Sequence, residues 1–448
     1  MSEKEELLAR AEAPVAEAMR LHPFYQGKVE IALKSPVRDS GDFAIWYTPG
    51  VAGPCRAIAA ESAAVYRYTN KGNTVAIVSD GTRVLGLGDI GPAAALPVME
   101  GKALLFKYLG GVDAVPLCVE AAEAEALIQF VKALQPSFGG INLEDIESPK
   151  CFEILERLQQ ECTIPVWHDD QQGTALVTLA GLLNALKIVR KRIDRVRIAL
   201  IGAGAANLCT ARLLIAAGAD PGRITICDSK GILHRRRKDL DAGQPQKRAL
   251  ARMTNRENRS GTTAVAFQGA DVAICLSRPG PGTVEQEWVR QMAPQAIVFA
   301  CANPIPEIWP WEAHEAGAKV VATGRSDFPN QVNNSLGFPA IFRGILDVRA
   351  TAITDGICIK AARELAACAP DGGLNAGKIL PSMDDQAVFP RVATAAALQA
   401  IDEGTARLQF SRAELYQQAE AAIKRARRQT SLLMEHGIIS APPDQERG

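Results

Sequence analysis

Arg195-Val196-Arg197-Ile198-Ala199-Leu200-Ile201-Gly202-Ala203-Gly204-Ala205-Ala206-Asn207 decides how this chain is read. Residues 195–201 read as a strand and 205–217 as a helix, with two glycines at the turn between them. A second strand at 223–227 completes a βαβ unit. In such a unit Gly202 allows the tight turn, and Gly204 lets backbone approach a pyrophosphate. The helix N-terminus adds free N–H groups and the positive end of its dipole. The third glycine of this fingerprint is missing, and Asn207 stands there. The glycine pattern alone also fits a plain packing turn; its strand-turn-helix setting favours a dinucleotide.

Asp228 closes the next strand, where an acid hydrogen-bonds a ribose 2′-hydroxyl and repels a 2′-phosphate, as NAD requires. Lys230 and the run Arg235-Arg236-Arg237 follow. They read either as a receiver for a 2′-phosphate or as a solvated basic surface, so NAD and NADP both stay open. Further strands are expected at 272–276, 296–300 and 318–321. A separate alternation precedes the unit. Strands at 74–79, 114–118, 138–143 and 164–167 are spaced by helices at 101–109, 120–134 and 149–162, which implies a parallel sheet with crossovers. Residues 1–30, 174–189 and 412–436 read as helical, and 367–377 as linker-like.

The expected fold is α/β in three parts. Residues 1–172 form an α/β domain with a parallel sheet for substrate and metal. Residues 173–390 form a Rossmann-like, doubly wound dinucleotide domain, and 391–448 a helical tail. A chain of 448 residues with 47% hydrophobic residues suits two or three domains. Lys and Arg number 50, as do Asp and Glu, so no nucleic-acid or acidic-membrane partner is indicated. The ten cysteines form no CxxC pair and read as reduced, buried thiols. The charged start lacks a signal core, and no apolar run reaches the ~18 residues of a membrane span. A cytoplasmic protein is expected.

Two acidic pairs stand at strand ends: Glu144-Asp145 and Asp169-Asp170. In an open parallel sheet those ends face one crevice. Carboxylates gathered there repel unless a cation sits among them, and all-oxygen ligation suits Mg²⁺ or Mn²⁺. Each pair also fits simple helix capping. His168 has no second His at ligand spacing and reads as a strand-end residue.

Several motifs now become specific. They are Tyr47-Thr48-Pro49-Gly50-Val51-Ala52, Arg83 to Gly91 (RVLGLGDIG), Leu96 to Lys102 (LPVMEGK), Asn142-Leu143-Glu144-Asp145, His168 to Ala175 (HDDQQGTA), Ala302-Asn303-Pro304 and Asn333 to Pro339 (NNSLGFP). With these, the chain resembles the malic enzyme family in its shorter prokaryotic form, from about residue 25 to 360. The resemblance implies that Tyr47 is the general acid and Lys102 the general base. It makes Glu144, Asp145 and Asp170 the metal carboxylates, and Asp169 the acid that holds the lysine. It places Arg83 and Asn334 on the substrate carboxylates and Asn303 near substrate and nicotinamide. Ala203, Gly204, Ala205 and Ala206 become pyrophosphate contacts beside Gly202. A homodimer or higher homo-oligomer is implied as well.

The implied reaction converts (S)-malate to pyruvate and CO₂ with reduction of NAD or NADP; oxaloacetate decarboxylation is expected at the same site. A lysine serves as base once its pKa is lowered, by burial or by a nearby cation. Two other enzymes fit the same residues: a simple 2-hydroxy-acid dehydrogenase and a malolactic enzyme. A non-enzymatic nucleotide sensor would need none of the acid, base and metal groups together.

Overall fold

Ten strands in two sheets organise the described residues in a computed structural model. It describes residues 3–121, 123–240, 243–325, 327–368 and 373–443, with side chains from residue 13 onward. The first sheet contains β1 (Thr74–Ser79), β2 (Asp113–Cys118), β3 (Gly140–Leu143) and β4 (Val166–His168). Its order is β2-β1-β3-β4, all parallel. The second contains β5 (Ile198–Ile201), β6 (Ile224–Asp228), β7 (Gly231–Ile232), β8 (Val272–Cys275), β9 (Ala296–Ala300) and β10 (Ala318–Thr323). Its order is β10-β9-β8-β5-β6-β7, parallel except for β7, which runs antiparallel to β6. The chain winds outward from β5 on one side, then crosses to β8 on the other. That reversal opens a crevice at the carboxyl ends of β5 and β8, the usual ligand position of a doubly wound sheet.

The central strands are buried on both faces, as crossover helices require. Residues Val75 to Val78 and Ile198 to Leu200 are solvent-free or nearly so. The helix Gly91–Gly110 runs ten residues further towards the N-terminus than 101–109, because Pro97 sits inside it without ending it. Gly111, at φ +64°, closes it, and a Cβ there would come 2.7 Å from the carbonyl of Ala422. The last long helix, Arg412–Glu435, matches the expected 412–436 and begins at a capping box made by Ser411 and Glu414.

Three helices between β10 and that last helix lie outside the sequence reading: Phe338–Asp347, Asp355–Ala367 and Val388–Asp402. The first packs back onto the helix Gly91–Gly110, with the Phe338 and Phe342 rings 4.6 and 5.3 Å from Phe106. It also lies against the helix Val388–Asp402, so closely that a Cβ on Gly344 would meet the Ala393 carbonyl at 2.1 Å. One apolar core therefore runs from the first sheet into the second. The boundary expected after residue 390 falls inside the helix Val388–Asp402. The linker-like 367–377 continues from a helix, and its residues 369–372 lie outside the described residues. All ten cysteines are free and seven are buried, as expected. Among the described residues no helix is long and apolar enough to cross a membrane.

Candidate active site

The acidic pairs do meet. β3 and β4 are neighbours in register, Leu143 beside His168, so the residues that follow each strand emerge side by side. Glu144, Asp145 and Asp170 each offer an oxygen, and these oxygens lie within 4.8 Å of one another. Backbone bonds fix the turn: Glu144 N–H donates to Val78 O at 2.9 Å and Arg83 N–H to Asp145 O at 3.0 Å. Asp145 N–H donates to Asp170 Oδ2 at 2.8 Å. Asp145 is left-handed at φ +54°, a conformation Asp tolerates better than most residues. Its Oδ2 is buried and has no hydrogen-bond donor. Burial, with Asp170 next, pushes the Asp145 carboxyl up to about 8. Burial also raises Glu144 well above the usual carboxylate range. Three crowded carboxylates, two of them buried and one of these with an unsatisfied oxygen, are a fitting donor set for a hard divalent cation.

Lys102 enters from the helix Gly91–Gly110. Its Nζ donates to Asp169 Oδ2 at 2.6 Å and lies 2.9 Å from Glu144 Oε1. The Phe338 ring faces the same nitrogen at 4.4 Å from its centroid. Burial acts to lower the Lys102 pKa, but Asp169 and then Glu144 outweigh it, so the pKa is raised. Burial alone does not give the expected lowering: in this arrangement two anions hold the proton on Nζ. Asp169 does hold the lysine, as expected. It is in turn held through its other oxygen, Oδ1, by Trp167 Nε1–H at 3.0 Å.

The backbone from Asp169 to Gly173 widens into a π-helical turn before the helix Thr174–Ile188. Such turns often mark functional sites. Gly173 is required there, since a Cβ would overlap Asp169 Oδ1 at 2.0 Å and would lie 3.3 Å from Asn334 Cβ. Asn334 is therefore beside the lysine's acid. Asn303 follows β9 and is exposed. The loop carrying Arg83 reaches this second half: a Cβ on Gly86 would lie 2.6 Å from Asn303 O. Arg83 is exposed at the same rim. His168 is fully buried at the end of β4 and 3.6 Å from Asp170 Oδ2; burial lowers its pKa.

The glycine turn has the expected form. Gly202, at φ +96°, comes so close to Leu276 that a Cβ would stand 2.3 Å from its carbonyl. A Cβ on Gly204 would meet nothing within 4 Å, which leaves that side of the helix N-terminus open. Asn207 turns inward, its Nδ2 donating to the Ile201 and Gly202 carbonyls at 2.9 Å each. Asp228 stands at the end of β6 but is already paired: Arg237 NH1 and NH2 reach its two oxygens at 2.7 and 3.0 Å. Arg237 also grips Asp239, and Lys247 Nζ lies 3.5 Å from Asp228. Arg235 and Arg236 are exposed, so the basic run is split between a structural pair and a solvated face.

Tyr47 is the site residue that the fold does not bring in. It is 72% exposed, and its hydroxyl has no hydrogen-bond partner among the described residues. Three supporting residues escaped the sequence reading. Asn142 donates to Glu144 Oε2 at 2.9 Å, and Trp167 and Phe338 flank Asp169 and Lys102. Glu307 is a fourth: buried, it accepts from the backbone N–H groups of Ser277 and Ala302 and so ties the ends of β8 and β9 beneath Asn303. Asn142 and Phe338 lie inside recognised motifs, whereas nothing local signals Glu307.

Residues 26–126 and 120–159 match the family model for the malic enzyme N-terminal domain, and 171–401 match the malic enzyme NAD-binding domain. A bifunctional malic/malolactic enzyme of Bacillus subtilis is 48% identical over 392 residues, covering 88% of this chain and 94% of that one. An NAD-dependent malic enzyme of Geobacillus stearothermophilus is 50% identical, covering 85% of this chain and 78% of its own. The crystal structure of Entamoeba histolytica malic enzyme superposes with a TM-score of 0.95 at 48% identity, over 98% of this chain and 92% of that one. With one family model covering the second sheet, another most of the first, and relatives this similar along most of its length, the chain belongs to the malic enzyme family.

Proposed function

We propose that this protein oxidises and decarboxylates (S)-malate to pyruvate and CO₂ with NAD(P), and decarboxylates oxaloacetate at the same site. The observation that carries the reading is Lys102 Nζ, held between Asp169 and Glu144 beside a carboxylate trio. Glu144, Asp145 and Asp170 would hold Mg²⁺ or Mn²⁺, which when bound supplies Lewis acidity toward the hydroxy acid. The glycine turn from Gly202 to Ala206, with Asp228 and Asn303, would hold the dinucleotide that accepts the hydride.

The chain's own groups handle protons. Oxidation of the alcohol requires loss of the hydroxyl proton, and Lys102 is the base placed to take it. Any engagement of Glu144 elsewhere removes one of the two anions that keep Nζ protonated, which frees the lysine for this role. Asp169, locked by Trp167, keeps Nζ in position. Arg83 and Asn334 orient the two substrate carboxylates. Loss of CO₂ leaves an enol whose C3 must gain a proton; Tyr47 supplies it, and Lys102 returns the proton to the tyrosine.

Asp228 favours a free 2′-hydroxyl and hence NAD, while Arg237 and Lys247 keep NADP within reach. A reducing cytoplasm suits ten free thiols. We also propose that residues 1–172 serve substrate and metal and that the dinucleotide part begins at 173; the break expected after 390 lies inside the helix Val388–Asp402 and is not kept. The decisive assay uses malate, Mn²⁺ and either NAD or NADP, with CO₂ and reduced cofactor measured. CO₂ with stoichiometric reduced cofactor supports the reading; oxaloacetate without CO₂ would make the protein a simple dehydrogenase. Lactate would make it malolactic, an outcome that the bifunctional B. subtilis relative keeps in view.

A further inference from the structure

Asp80 and Lys150 form a second charge pair at the carboxyl end of the first sheet, and no step of the proposed reaction uses it. Asp80 follows β1, the strand beside β3, and is buried. Lys150 Nζ stands 2.8 Å from Asp80 Oδ2, and the lysine side chain is only 16% exposed. Lys150 is also the first residue of the helix Lys150–Glu161. The positive end of the helix dipole disfavours a cation there. A lysine that breaks this local rule, with most of its side chain out of water, calls for a compensating task.

The contacts around the pair show that task. Asp80 Oδ1 accepts twice from Thr82, from its N–H at 3.1 Å and from its hydroxyl at 2.6 Å. Thr82 Oγ1 in turn accepts from Glu147 N–H at 2.9 Å. Glu147 Oε1 lies 3.7 Å from Lys150 Nζ, which closes the circuit. It ties the start of a loop to the start of a helix. The next residue of that loop is Arg83, whose N–H donates to Asp145 O. The loop's far end returns to the same root: the N–H groups of Ile90 and Gly91 both donate to Gly81 O at 3.2 Å. A Cβ on Gly81 would stand 2.3 Å from Gly91 O. The Arg83 guanidinium itself has no hydrogen-bond or ion-pair partner among the described residues, so its backbone alone directs it. We propose that Lys150, acting through Asp80 and Thr82, is the positioning residue that aims Arg83 at a substrate carboxylate. The same pairing keeps Asp80, a fifth carboxylate at these strand ends, from repelling a dianionic substrate.

The proposal rests on the malate reading, and the two fail in different ways. Lys150→Ala is expected to raise the KM for malate roughly tenfold with little change in kcat, as loss of one hydrogen bond to a charged group would. The KM for NAD and the affinity for Mn²⁺ should stay within about twofold of wild type. Lys150→Arg keeps the cation and is expected to restore most of the malate KM. In an Arg83→Ala background, Lys150→Ala should add less than about twofold, because the residue it positions is gone. Thr82→Val cuts the same link without leaving a buried charge unpaired, and it serves where Lys150→Ala does not fold. Its malate KM is expected to rise as well. An unchanged malate KM in folded Lys150→Ala or in Thr82→Val would overturn the proposal. So would effects of Lys150→Ala and Arg83→Ala that simply multiply. A fall in Mn²⁺ affinity matching the loss of malate would also overturn it, by placing the pair's action on Glu144 and Asp145. A wild type that turns over malate, with Lys150 indifferent, keeps the malate reading and loses the proposal. One that does not turn over malate at all loses both.

Discussion

Trp167 Nε1–H donates to one oxygen of Asp169 at 3.0 Å, while the other oxygen accepts from Lys102 Nζ at 2.6 Å. A fully buried indole thus fixes the carboxylate that holds Lys102. Trp167→Phe keeps the packing and removes only the donor. It should cost about 1–3 kcal/mol of stability, the penalty for an unsatisfied buried acceptor. It should also lower kcat for malate more than it raises KM. Denaturant unfolding and steady-state kinetics read the two effects.

Metal binding should depend on pH with a definite sign. Asp145 is held protonated up to about 8 by burial and by Asp170. Raised from the ordinary value, it stabilises the metal-free fold fully at low pH and loses that stability as pH rises through about 8. A cation must displace this proton. Mn²⁺ affinity should therefore rise about tenfold per pH unit below 8 and level off above it. Calorimetry in buffers of different ionisation heat would also show proton release. Affinity that falls over pH 6–8 would contradict the assignment, and Asp170→Asn should weaken Mn²⁺ binding at every pH.

The Asp228–Arg237 pair should govern the choice of cofactor. Asp228→Ala removes the acceptor for a ribose hydroxyl and leaves Arg237 able to meet a phosphate. The ratio of kcat/KM for NADP over NAD should increase by roughly tenfold or more, about the worth of one charge-assisted hydrogen bond. An unchanged ratio would remove Asp228 from the site.

Restoring the missing glycine should harm the protein. Asn207→Gly completes the fingerprint but deletes two hydrogen bonds to the carbonyls of Ile201 and Gly202. It also adds glycine to the buried first turn of a helix. A loss of about 1–3 kcal/mol and a raised KM for the dinucleotide are expected. Thermal melts with and without NAD would measure both.

Much of this architecture was legible because strands buried on both faces are short, apolar and bounded by turns. β1 and β9 lie where the sequence places them. The Gly91–Gly110 helix was cut short because Pro97 reads as a boundary, although burial along its inner face carries the helix across it. The helix Phe338–Asp347 is buried nearly throughout, its two charged residues Arg343 and Asp347 paired with each other, and Val388–Asp402 is mostly buried alanine and other apolar residues with few polar positions, so neither shows a broad charged face. The carboxylates, Lys102 and Asn334 were found through motifs, and the parallel pairing of β3 with β4 explains why the two acidic pairs converge. The placement of Tyr47 was not legible. An apolar or aromatic residue reads the same in a sequence whether it faces its own core or, like Tyr47, stands largely exposed.

The Phe338 ring over Lys102 has a consequence for how the protein is made. The first sheet and its acids emerge early in synthesis, but the lid over the lysine belongs to a helix translated long after the second sheet. A ribosome-bound N-terminal half would carry every acid of the site and an open, wet lysine. Catalytic competence therefore arrives late and all at once, and a gene fragment ending before residue 338 should encode a chain unable to do the chemistry.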